Sequence, residues 1–79
     1  MVVRLHPEAL EEYMEAVAFY EERAPDLGRE FFEEVERVLR AVGDSPTIGS
    51  PLTPPFRRVL CRRFPFAVIY REDSDLVRV

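Results

Sequence analysis

The apolar positions of the chain change their spacing twice. A short β-branched run, Val2-Val3-Arg4-Leu5, is stopped by Pro7 and predicts a strand leading into a helix that carries the proline in its first turn. From Glu8 to Arg23, Leu10, Tyr13, Met14, Val17 and Tyr20 recur at the three-and-four interval of one helical face, with Glu11, Glu12, Glu15, Glu21 and Glu22 largely elsewhere. That pattern predicts an amphipathic helix with those five apolar residues turned inward. Ala24-Pro25-Asp26 breaks it, and Asp26 is placed to cap a second helix whose stripe is Leu27, Phe31, Val35, Val38 and Val42, with Gly43 as its terminating residue. A connection of about three residues forces the two helices into an antiparallel hairpin.

The stretch from Asp44 to Pro55 holds four of the seven prolines and reads as a loop. Beyond it the period becomes two, and Phe56–Arg63, Phe66–Arg71 and Asp75–Val79 read as three strands. Turns at Phe64-Pro65 and Glu72-Asp73-Ser74 make them an antiparallel meander. The order β-α-α-β-β-β predicts an α+β fold: a single domain over residues 1–79, with a helix hairpin on one face of a small, mostly antiparallel sheet of four strands. The other sheet face has no helix to cover it.

Charge divides along the same boundary. The net charge is −4, but residues 1–44 hold five Arg against twelve acids, and residues 45–79 hold six Arg against three acids. An acidic first half argues against a surface that binds nucleic acid all round, and the search for a binding patch narrows to the second half. One cysteine, Cys61, and one histidine, His6, are too few for a disulfide or a zinc site, so no metal and no cofactor is expected. No apolar run is long enough to span a membrane and no signal peptide is visible, so a cytoplasmic location is expected. A 79-residue domain with an uncovered sheet face is also expected to self-associate or to seek a partner.

Candidate chemistry is sparse. The Glu clusters of both helices are solvated helix faces, His6 before a proline reads as a local cap or packing residue, and Cys61 reads as a buried strand residue. No catalytic residue is assigned. The arginines around Val59-Leu60-Cys61 stand apart. If Val59 and Cys61 face the helices, then Arg58, Leu60 and Arg62 lie on the open face, with the two arginines about 13 Å apart and able to grip successive carboxylates or phosphates. Edge-strand arginines that merely prevent aggregation are the competing explanation.

His6-Pro7-Glu8-Ala9, Ala16-Val17 with Phe19-Tyr20-Glu21, Phe31-Phe32-Glu33-Glu34-Val35, Arg57-Arg58, and Phe64-Pro65-Phe66 ahead of Ile69-Tyr70 come in a fixed order along the chain. Together they resemble the RelE/ParE superfamily of toxins from type II toxin–antitoxin, or plasmid stabilisation, modules. The resemblance implies the β-α-α-β-β-β plan and a cognate antitoxin as partner, and partner binding is expected of Arg58, Arg62, Leu60, Tyr70 and Arg78. Ala67 stands where the messenger-RNA nucleases of the superfamily have an arginine, and Phe64-Pro65-Phe66 is similar to the ParE branch, whose named members poison DNA gyrase by binding. A ParE-like toxin is therefore the leading expectation. A RelE-like ribosome-dependent nuclease using Arg58, Arg62 and Arg78 on RNA is the second, and a shortened, inactive interaction module is the third. Relatives usually continue past the strand ending at Val79 with a further segment that this chain is expected to lack.

Overall fold

The computed structural model describes residues 1–79. Helix α1 (Pro7–Arg23) begins where the sequence places it, with Pro7 in its first turn and His6 as cap, the ring Nδ1 accepting the backbone N–H of Glu8 at 3.1 Å. Ala24 ends it in extended backbone. The next residues differ from expectation. Asp26 takes a left-handed φ of 68° and its side chain caps nothing. Glu21 of α1 does that work instead, its carboxylate accepting the N–H groups of Asp26 at 3.1 Å and Gly28 at 3.0 Å. A carboxylate from the preceding helix thus satisfies the free amides that open α2 (Leu27–Asp44) and favours its positive end.

Helix α2 is the largest contributor to the core, through Phe31, Val35, Val38, Leu39 and Val42. It lies on the sheet, while α1 packs chiefly on α2. This arrangement rotates the buried face of α1 onto Tyr13 and Ala16 and leaves Leu10 and Met14 in solvent, contrary to the inward placement expected of them. Gly43 is not a terminating residue either. The helix runs one residue beyond it, and an added Cβ there would sit 3.1 Å from both the Met1 carbonyl and Val3 Cγ2. The glycine lets the first strand cross the helix at close range, where the Met1 ammonium donates to the Gly43 carbonyl at 2.8 Å.

The sheet has five strands in the order β1-β5-β4-β3-β2, one more than expected. They are β1 (Val2–Arg4), β2 (Ser50–Pro51), β3 (Phe56–Leu60), β4 (Ala67–Asp73) and β5 (Leu76–Arg78). Strand β1 runs parallel to β5 and the other pairs are antiparallel. The additional strand, β2, is two residues of the proline-rich loop, too short to show a period. Strand β3 stops at Leu60 rather than Arg63, because Arg63 turns with a φ of 71° and drops Phe64 into an aromatic cluster with Tyr20 and Phe31, ring centroids 5.0 and 5.2 Å away. On the helix side of the sheet, Val68, Tyr70 and Val77 complete the core. No helix is long and apolar enough to cross a membrane.

Candidate functional site

The side of the sheet away from the helices is open. Strand parity puts Arg58 and Leu60 of β3, Ala67, Ile69 and Arg71 of β4, and Arg78 of β5 on it, while Val59, Val68, Tyr70 and Val77 turn to the helices. The expected facing of β3 is therefore the observed one. Leu60 is 64% exposed and Ile69 50%, large values for aliphatic residues in a sheet. Arg58 lies opposite Ile69 on one side and Ser50 on the other, and takes part in no ion pair.

Arg78 shares this face and donates from Nε to Asp73 at 2.6 Å. Through that hydrogen bond the guanidinium holds the Asp73 carboxyl below the usual carboxylate range. Arg62 is not on the strand. It lies past the end of β3, its backbone N–H donates to Glu34, and its neighbours around a polar cleft are Glu30, Glu33, Arg37 and Arg40. The expected Arg58 and Arg62 pair on one strand face is thus broken by the early turn at Arg63.

Tyr70 also requires correction as a partner-binding residue. It points to the helix side and is 1% exposed. Its hydroxyl accepts the Gly49 N–H at 2.9 Å and donates to the Pro46 carbonyl at 2.7 Å, so it fastens the proline-rich loop to β4. A Cβ on residue 49 would meet that hydroxyl at 2.6 Å, which is why a glycine stands there. Arg57 holds the same loop from outside, donating to the carbonyls of Thr47 at 3.2 Å and Gly49 at 2.9 Å.

Three residues on the open face were not among the sequence candidates. Arg71 and Phe56 are partners in the β3–β4 register, and Arg4 is the partner of the candidate Arg78 across β1–β5. Arg4, Arg71, Arg78, Phe56 and Ile69 line one groove with His6. Alternation could have placed Arg71 beside Ile69, but the parallel pairing that brings Arg4 there has no local signal.

The remaining reactive groups are muted. Burial, and after it the Glu34 carboxylate, push the Cys61 thiol up, with Arg37 opposing, so the thiol stays protonated and a poor nucleophile. Burial likewise raises Tyr13, whose hydroxyl donates to Glu36 at 2.9 Å. No group of three or more His, Cys, Asp or Glu side chains is arranged to hold a metal.

The family model described as the ParE toxin of the type II toxin–antitoxin system, parDE, matches residues 3–79. The chain belongs to the ParE toxin family. No curated protein and no solved structure matches it. For a ParE-family chain the toxin–antitoxin class and an antitoxin partner follow from membership. In this ParE-family fold the helix hairpin covers one sheet face and leaves the other, with its arginines and exposed aliphatic residues, without any covering element.

Proposed function

We propose that the chain is a toxin that acts by binding a protein target, gyrase by family likeness, and is neutralised when a cognate antitoxin covers its open sheet face. The observation that carries the reading is that face itself, where Arg58 is unpaired beside Leu60 and Ile69, the two most exposed aliphatic residues of the central strands. Isolated guanidinium groups flanking apolar surface suit a partner that brings carboxylates and buries aliphatic side chains together. Arg58, Leu60 and Arg78 are the contact residues in this reading.

Catalysis is not required by it. Ala67, opposite Leu60, has no group that could move a proton or stabilise a phosphorane, and the Cys61 thiol is held protonated. Induced expression should arrest growth and co-expressed antitoxin should relieve the arrest. With purified gyrase, supercoiling should fall in proportion to added protein. The arginines of the open face also favour a second reading, binding of messenger RNA. Translation in vitro with primer extension separates the two: position-specific cuts that vanish in Arg58→Ala would replace the first reading by the second.

A further inference from the structure

Three arginines stand side by side across the open face. The register pairs Arg4 with Arg78 across β1–β5 and Arg78 with Arg71 across β5–β4, so three neighbouring strands each present one guanidinium, roughly 5 Å apart per step. Phe56, opposite Arg71, closes the row on β3. The row lines a groove of about 870 Å³. Of the three, Arg78 is paired with Asp73 at 2.6 Å, while Arg4 and Arg71 are in no ion pair.

Like charges on directly facing strand positions repel and destabilise a sheet. The fold compensates this only in part: Asp73 pairs with Arg78 and attracts Arg71, Arg4 is in no ion pair, and all three arginines are exposed. Such a row is suited to a ligand with several anionic groups. A phosphodiester strand and an acidic peptide both qualify, and three observations favour the peptide. The row already holds a carboxylate, that of Asp73. Its surroundings are aliphatic, Ile69 and Leu60 being half or more exposed, whereas a nucleic-acid strand gains from several stacking rings and the groove offers only Phe56 and the His6 imidazole. The chain as a whole is negative, at −4, so a long polyanion is repelled beyond the row while a short acidic segment is not.

We propose that Arg4, Arg71 and Arg78 form a carboxylate-binding row that receives an acidic segment of the antitoxin, whose intervening apolar side chains lie on Ile69 and Leu60. The proposal rests on the toxin reading above. It moves the centre of recognition from β3 toward β1, β5 and β4, to residues that are far apart in sequence.

The test uses three probes by fluorescence anisotropy: a capped decapeptide of alternating Glu and Leu, the same peptide with Gln for Glu, and a decauridylate. The Glu peptide should bind the full chain, lose at least tenfold in affinity in the Arg4→Ala/Arg71→Ala double variant, and bind more tightly than the other two probes. Thermal melting of the double variant should hold or rise, because repulsion has been removed. An unchanged affinity for the Glu peptide in the double variant, no binding of that peptide, or a lowered melting temperature each overturns the row as a peptide site. Tighter, arginine-dependent binding of decauridylate overturns it in favour of nucleic acid. Growth arrest and its relief by antitoxin are scored separately. Arrest with antitoxin affinity untouched by the double substitution removes the row and leaves the toxin reading, whereas absence of arrest removes the toxin reading and leaves the peptide titration to decide the row.

Discussion

The same strands present two unlike surfaces. Toward the helices, Val68, Tyr70 and Val77 are buried and every polar atom among them is satisfied, as with the Tyr70 hydroxyl between Gly49 and Pro46. One residue along, on the other face, Ile69, Arg71 and Arg78 are exposed, and Arg71 is in no ion pair. Alternation of period two makes this possible, since each strand carries a packing problem on one side and a recognition surface on the other without either constraining the other's composition. Stability is concentrated in the covered face, and substitutions should divide accordingly.

The sharpest division is between adjacent faces given the same charge. Val77→Asp places an unpaired carboxylate in the fully buried centre and should cost about 3–5 kcal/mol, enough to unfold a domain of this size, whereas Ile69→Asp should change stability by less than about 0.5 kcal/mol. Urea titration followed by circular dichroism gives both values. If the two substitutions proved equally damaging, the open face would be packed against something in solution.

A smaller effect is expected at the hydroxyl that joins the covered face to the proline-rich loop. Tyr70→Phe keeps the ring and removes both hydrogen bonds, leaving the Gly49 N–H unsatisfied in a buried position, at a cost of about 1–3 kcal/mol. Amide exchange should report the loss at residue 49 while β5 stays protected.

The boundary between covered and open regions carries a pH dependence. Glu34 accepts two hydrogen bonds from the Arg37 guanidinium, which draw its carboxyl down to about 2 against the opposing effect of burial, and the Arg62 N–H adds to the lowering. The folded value is below that of the unfolded chain, so the charged carboxylate stabilises the fold above about pH 5 and that contribution fades as pH falls toward 2. Glu34→Gln should therefore lose about 1 kcal/mol at neutral pH, and its urea midpoint should converge with that of the parent in acid.

The smallest effect has the opposite sign. Arg71→Ala relieves repulsion from Arg78 and should raise the melting temperature slightly, by no more than about 0.5 kcal/mol equivalent, provided that no partner is present. A loss on that substitution would mean that the arginine row serves the fold.

Much of this was legible in the sequence because it is local. The helix hairpin follows from apolar spacing and from the break at Ala24-Pro25-Asp26, and the outward facing of Arg58 follows from Val59 and Cys61 being the better core pair. What escaped depends on contacts between distant segments. Leu10 and Met14 match the inward stripe but stay exposed, because α1 rests on α2 and does not reach far over the sheet. Arg62 matches the period of β3, yet the burial of Phe64 ends the strand first. Asp26 has the right chemistry for a cap and the wrong backbone angle. Arg4 lies on the open face through a pairing whose two strands are at opposite ends of the sequence order.

That last pairing has a kinetic side. Val2 meets Leu76, roughly 74 residues away, whereas Asp73 meets Leu76 across a tight turn. Loop-closure entropy rises by about 0.6 kcal/mol per doubling of length, so closing the longer loop costs roughly 3 kcal/mol more, set against three residue pairs of ladder and the contacts of Met1 and Val3 with α2. Closing so long a loop slows pairing, and a short terminal strand frays more readily than the central ones under native conditions. Strand β1 is then slow to join and ready to leave, and Arg4 moves with it, so the face that a partner would meet is complete only in molecules whose outermost strand has closed.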